Sequence, residues 1–352
     1  MSKMAGTKEQ DRWSVRPEGS NWGDFGPNDQ VGRLNLITPE RRLGGFAEVR
    51  EGKVFCLSLP LDCPRGGFSA LRTPPVLSPT YRGDDPMMNL PYCIHAEGQT
   101  DVLCDDRVDM ALQFSTQWDS LAHVGSVFDP SGQGRAVVTY YNGFSGGAHV
   151  HGPIDYLDGR AACEGPFGAR ALGIETMAET CVQGRGVMVD VAEDFGEGLA
   201  GIDHPAMMAI LERDNVVIEP GDILCLRTGM DRALLRHYRG EGSAVDPIQW
   251  PGLDGKDTRL LDWITTSGIA AIVSDNMGVE AFGLRKRPPS GSAMPLHEHC
   301  LFKLGLPLGE MFLLGDLADW LRDHGRSRFL FTGPPLRLPG AVGSPVTAVA
   351  TV

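Results

Sequence analysis

The sequence predicts a single α/β domain, and three observations carry that reading. Residues 184–191 (GRGVMVDV), 222–227 (DILCLR) and 269–273 (IAAIV) are short, apolar, β-rich runs that read as buried strands. Residues 205–213 and 258–267, between them, read as helices. No internal repeat or low-complexity tract interrupts the 352 residues, a length ample for one large core or two modest domains.

Taken in order, residues 1–20 are expected to form a flexible arm ahead of a domain over 21–352. Residues 21–32 are turn-rich and aromatic. Thr38 is a good N-cap with Pro39 behind it, which predicts a helix over 39–51 stopped by Gly52. Residues 54–59 read as a strand closed by Pro60. Residues 60–105 carry many prolines and glycines and read as irregular. A stretch of that length inside a domain is usually functional or disordered, so it is expected to cover a site or join a subunit contact. Strands are predicted over 110–116 and 137–141, and again over 216–218 and 222–227 around the Pro220-Gly221 turn. Residues 239–255 read as a Gly/Pro-rich linker or insertion. The helix over 258–267 sets Leu260, Leu261 and Ile264 on one side and has Gly268 as its stop. The strand at 269–273 releases Ser274-Asp275-Asn276 at its end, where open α/β sheets place their sites. A loop over 281–296, a short helical piece starting over 296–302, a turn over 305–310 that leads into 313–320, and a strand over 328–332 complete the pattern.

Composition narrows the function. The balance of 42% hydrophobic and 22% charged residues is that of an ordinary globular protein. A net charge of −13 argues against nucleic acid and anionic membranes as partners, since both need a cationic surface. There is no apolar signal core at the start and no run of 18 apolar residues. The eight cysteines include no CxxC pair and read as mostly reduced and buried, hence a cytoplasmic setting. Cys93-Ile94-His95 could form a ligand pair, although buried free cysteine is the commoner outcome. His149 and His151 could chelate a metal, although in a Gly-rich loop histidines are more often surface residues.

The densest chemistry lies in residues 113–123 (QFSTQWDSLAH). Gln113, Gln117, Asp119 and His123 share one parity, so on extended chain Gln117 and Asp119 point the same way, roughly 6 to 7 Å apart. Gln113 and His123 join them only if the chain bends on either side. An imidazole can take a proton from water at neutral pH, which makes His123 the first candidate for a general base. Trp118 and Phe114 face the other way, toward a core.

This stretch resembles the motif His-x-Gly-Thr-His-x-Asp-x-Pro-x-His of the cyclase-like metal-dependent hydrolases, the family of bacterial kynurenine formamidase and isatin hydrolase. Thr116, Asp119 and His123 match it. Gln113 and Gln117 stand where the motif has histidine, Ser115 where it has glycine and Leu121 where it has proline. The opening from Trp22 through residues 34–40 (LNLITPE) and 52–62 (GKVFCLSLPLD), the Tyr141-Asn142-Gly143 triplet and the Gly343-Ser344-Pro345 turn are similar to the family too. The resemblance runs from about Trp22 to the end of the chain.

It implies a swivelling β/β/α fold, a mixed barrel-like sheet flanked by helices and long loops. It implies His123 as general base with Asp119 and Gln117 in the catalytic group. It also implies a metal site drawn from Asp119, His123, Gln117, Gln113, His297 and Glu310, the last two standing thirteen residues apart. His299 is a decoy at similar spacing, and Glu298 reads as solvated. Zinc sites are built from Cys, His and carboxylate, whereas an amide oxygen suits harder cations. The two glutamines therefore predict one weakly held divalent ion, manganese or zinc, or none. The implied activity is hydrolysis of a small-molecule amide, lactam or lactone bond, as in an arylformamidase or isatin hydrolase, by a homodimer or homotetramer. A metal-independent cyclase or dehydratase using the same His–Asp pair is the alternative, and a non-catalytic binding protein on the same scaffold is a third.

Overall fold

The structure, a computed structural model, describes residues 12–284 and 290–352. Its centre is a nine-stranded mixed sheet curled into a half-barrel and flanked by helices. The strands are β1 (Val54–Cys56), β2 (Gln117–Asp119), β3 (Gln183–Asp190), β4 (Ile223–Arg227), β5 (Ala271–Ser274), β6 (Leu308–Glu310), β7 (Arg328–Thr332), β8 (Gly343–Pro345) and β9 (Val349–Thr351). Their order across the sheet is β1-β9-β7-β3-β4-β5-β6-β2-β8. The central four, β3 to β6, run parallel, and every other pairing is antiparallel.

The apolar runs become strands because both of their faces are covered. Val187, Val189, Leu224, Leu226 and Ile272 pack on one side, with Met207, Ile210, Leu260 and Ile264 of the helices α3 (His204–Arg213) and α5 (Thr258–Ser267). Met188, Ile223, Cys225, Ala271 and Val273 face the other side, with Trp118, Phe312, Phe329 and Phe331. Alternate residues of one strand thus feed two cores, as the pleat requires. Helix α5 has the predicted limits: Asp257 caps it by accepting from Arg259 N, and Gly268 closes it at φ 71°. The remaining named helices are α1 (Pro39–Phe46), α2 (Ile174–Glu179), α4 (Met230–Tyr238) and α6 (Gly315–Asp323).

Several expectations are corrected. Helix α1 is capped by Thr38 as predicted but ends at Phe46, because Gly44 and Gly45 weaken its last turn. A Cβ at Gly45 would lie 2.8 Å from the Gly184 carbonyl carbon, so this glycine lets the helix sit directly on β3. Residues 60–105 are not structureless. They build an exposed β-arm in which Val76–Pro79 pairs with Asp106–Asp109 and Leu90–Pro91 with Val102–Leu103. Residues 110–116 form turns rather than a strand, and 216–218 lie between a left-handed Asn215 and the Pro220 turn with no strand partner. Of the expected arm, residues 1–11 lie outside the described residues. Residues 12–20 are fastened down: Ser14 N and Val15 N donate to Pro130 O at 2.8 and 3.0 Å, and Trp13 packs on Trp22. Cys56, Cys93, Cys104 and Cys181 are exposed, against the expectation of burial, because they sit on edge strands and turns. Among the described residues no helix is long and apolar enough to cross a membrane.

Candidate metal centre

The turn over 111–116 delivers the chain into β2 at a fixed angle. Thr116 Oγ1 donates to Met311 O at 2.6 Å and accepts from Leu59 N at 2.9 Å, while Ser115 Oγ donates to Pro60 O at 3.1 Å. Trp118, fully buried, goes into the core, with its Nε1 on Gly333 O at 2.7 Å and its ring against Phe312 and Phe331. Its neighbours Gln117 and Asp119 therefore share the opposite face. The β2–β6 register sets Glu310 directly across from Gln117. A tight turn follows, with His123 N donating to Ser120 O, and brings His123 Nε2 to 3.7 Å from Asp119 Oδ1. The bend that the sequence required on the C-terminal side is this turn.

A further residue comes from the segment before β6. His297 ends a single helical turn, Pro295–His297, which runs on into a wide π-turn over Glu298–Lys303. Its Nε2 lies 3.5 Å from Glu310 Oε1, and its Nδ1 lies 3.0 Å from Glu280 Oε2. Asp119, His297 and Glu310, all buried, offer ligand atoms within 4.8 Å of one another, and among the described residues no other such group forms. Burial pushes the Asp119 carboxyl up to about 6, with Glu310 adding to it and His123 and His297 opposing it. Burial alone would lower His297, but hydrogen bonds to Glu280 and Glu310 outweigh it and hold the ring at about 10. Glu310 is held below its ordinary value, since the His297 hydrogen bond and charge outweigh its burial.

Two features test whether these residues fit a cation. Asp119 Oδ2 is buried with no hydrogen-bond partner. The amide of Gln117 is satisfied when its nitrogen donates to Gln113 O at 2.8 Å and Ser115 O at 3.3 Å. Its oxygen then occupies the position 3.3 Å from Asp119 Oδ1 and 3.4 Å from Glu310 Oε2. Three oxygens turned toward one another repel unless positive charge sits among them. The donor set of two carboxylates, one imidazole and an amide oxygen fits a single divalent ion.

The other predicted residues fall as follows. Gln113 meets the site through its backbone carbonyl, which also accepts from Arg72 Nη1 at 2.9 Å, while its side-chain amide packs against Gly343. It is not brought in as a side-chain ligand, because the turn that carries it aims the amide at β8. His123 stands at the rim, its side chain 22% exposed, beside the carboxylates rather than among them. His299 is a core histidine on Thr265, pulled down to about 4 by burial, and Glu298 accepts from Ser126. His149 Nδ1 accepts from Ser145 N, and His151 Nδ1 bonds Gly147 O. His95 lies 3.6 Å from Asp85, and Cys93 beside it is exposed. Asp275, at the end of β5, accepts from Thr228 N, Thr228 Oγ1 and Gly229 N and so anchors the start of α4. Both expected loops touch the site: Arg72 comes from the base of the β-arm, and the Phe282 ring lies 5.8 Å from that of His297. Sequence reasoning missed Glu280, which no periodicity or spacing marks out. The cavities of about 550 Å³ beside Arg213 and about 390 Å³ beside Tyr140 do not touch Asp119, His297 or Glu310.

The family described as "Putative cyclase" is matched over residues 57–281. A solved structure described as a novel cyclase is 30% identical, covers 95% of this chain and 97% of its own, and superposes with a TM-score of 0.70. Isatin hydrolase A from Labrenzia aggregata, bound to benzyl benzoate, is 13% identical over 88% of this chain and 97% of its own, with a TM-score of 0.53. Isatin hydrolase A from Ralstonia solanacearum is 15% identical over 89% and 97%, with a TM-score of 0.52. At those identities the two hydrolases share the fold. No curated protein matches the chain.

Proposed function

The chain belongs to the cyclase family, and from that premise we propose that it is a hydrolase of a small-molecule amide, lactam or lactone bond. One observation carries the reading: three buried ligand atoms within 4.8 Å of one another, beside a rim histidine whose Nε2 is 3.7 Å from Asp119. Asp119, His297, Glu310 and the Gln117 oxygen would hold one divalent ion. Such an ion supplies Lewis-acid polarisation of a carbonyl and a more acidic bound water. The hard oxygen donors favour manganese over zinc.

The chain's own groups do the rest. His123, open to solvent, takes the proton of the attacking water at Nε2 and returns it to the leaving nitrogen or oxygen. Asp119 Oδ1, 3.7 Å from that nitrogen, sets it beside the ligand carboxylates. Arg72 stands at the edge of the site, where its charge favours the ionised forms of Asp119 and Glu310. It is placed to meet the carboxylate that ring opening or acyl cleavage releases. Phe282 gives an apolar wall against His297.

Elemental analysis of protein purified without chelators or a tag metal tests the reading, together with turnover of formamides, lactams and lactones. One manganese or zinc per chain, with turnover lost in chelator, is expected. A metal-free protein whose turnover ignores chelator would overturn it in favour of metal-independent proton shuttling.

A further inference from the structure

Glu280 is only 6% exposed, and both of its carboxylate oxygens are committed. Oε2 lies 3.0 Å from His297 Nδ1, and Oε1 accepts from Leu296 N at 3.2 Å. One side chain thus grips the ring and the backbone of the same helical turn. The segment that carries it is itself laced down. Leu253 N donates to Val279 O at 2.9 Å, and Ala281 N donates to Leu253 O at 3.0 Å. Val279, a β-branched residue, is held at φ 59°, in the left-handed region that such residues avoid. Strain of this kind persists only where the surroundings enforce it, and it clusters at functional positions. Gly255 leaves room for the carboxylate, since a Cβ there would lie 2.5 Å from Glu280 Oε1.

We propose that Glu280 is the positioning residue that makes His297 a single-nitrogen ligand. Accepting a hydrogen bond from Nδ1–H keeps that nitrogen protonated and makes Nε2, turned toward Glu310 and Asp119, the nitrogen that would give up its proton to a bound ion. Phe282, two residues on, covers the ring and stops it from turning over. Buried ligand histidines elsewhere are oriented by carboxylates in this way, and loss of the partner weakens metal affinity by about 10- to 100-fold. The proposal rests on the reading of Asp119, His297 and Glu310 as a metal centre, and the test separates the two.

Manganese and zinc binding is measured by titration calorimetry on the full chain and on its Glu280→Ala, Glu280→Gln and His297→Ala variants. The ring ¹⁵N–¹H spectrum of the zinc-loaded protein is recorded alongside. Glu280→Ala is expected to weaken both metals by about 10- to 100-fold and to remove the His297 Nδ1–H resonance. Glu280→Gln, whose amide oxygen can still accept that proton, is expected to recover most of the affinity. Undiminished affinity in Glu280→Ala, with binding lost in His297→Ala, overturns the role of Glu280 and leaves the metal centre standing. Undiminished affinity in His297→Ala overturns the metal centre itself. If Glu280→Ala does not fold, the isosteric Gln variant carries the test: affinity close to wild type together with a retained Nδ1–H resonance supports the role, and a resonance that moves to Nε2–H overturns it.

Discussion

Replacing Asp119 with asparagine separates what this carboxylate does to folding from what it does for chemistry. The side chain is fully buried, one oxygen has no partner, and burial lifts its carboxyl from 3.8 to about 6. In the unfolded chain Asp119 ionises above 3.8, whereas in the metal-free fold it keeps its proton to about 6. Between those values the unfolded state sheds a proton that the folded state retains, so stability falls as pH rises. At about 1.4 kcal/mol for each pKa unit, the penalty reaches about 3 kcal/mol above pH 6. Asp119→Asn removes it. The metal-free variant is therefore expected to be more stable than wild type at pH 7 by up to about 3 kcal/mol, with the difference gone near pH 4. Manganese at a thousand times Kd should reverse the ranking, because it stabilises the wild type by about 4.1 kcal/mol and the variant has lost a ligand. Urea unfolding in chelator at both pH values, then with manganese, reads all three quantities. A variant less stable than wild type at pH 7 without metal, or equally stabilised by manganese, refutes the reasoning.

Three further outcomes are expected. Gln117→His should tighten zinc relative to manganese in a competition titration; equal affinities would place Gln117 outside the coordination sphere. His123→Ala should lower turnover by about 10²- to 10⁴-fold while leaving the melting temperature unchanged; unchanged turnover removes His123 from the proton path. His299, held neutral at about 4 by burial against an ordinary 6.5, should make the fold lose up to about 3 kcal/mol as pH falls from 6.5 to 4, because only the unfolded state takes up a proton there. His299→Gln should flatten that loss in urea midpoints taken at pH 7 and 4.5.

Legibility followed locality. Helix α5 was readable because its cap, its apolar stripe and its glycine stop all lie within a dozen residues. Strands β3 and β4 were readable because burial on both faces leaves an unbroken apolar run. The parity of Gln117 and Asp119 survived even though the strand begins at Gln117 rather than at 110, since parity depends only on the extended chain between them. Strands β8 and β9 escaped notice. They are short, and β8 is made of Gly, Ser and Pro, residues whose local signal is a turn. Only their distant partners β2, β1 and β7 make them strands. Glu280 was illegible for a related reason. Its significance lies in a hydrogen bond to a ring seventeen residues on, across a loop with no period to read.

The place of β9 between β1 and β7 has a consequence for biosynthesis. Strand β1 is made early, yet its hydrogen-bonding neighbour is made roughly 300 residues later. At about 5–20 residues per second, the emerging chain holds that edge unpaired for roughly 15–60 s. Within that interval β2, which carries Gln117 and Asp119, also waits for both of its partners, β6 and β8. The carboxylates are then enclosed only after most of the chain has left the ribosome. A metal ion supplied during synthesis would meet Asp119 before Glu310 and His297 exist, so any loading would belong to the finished fold.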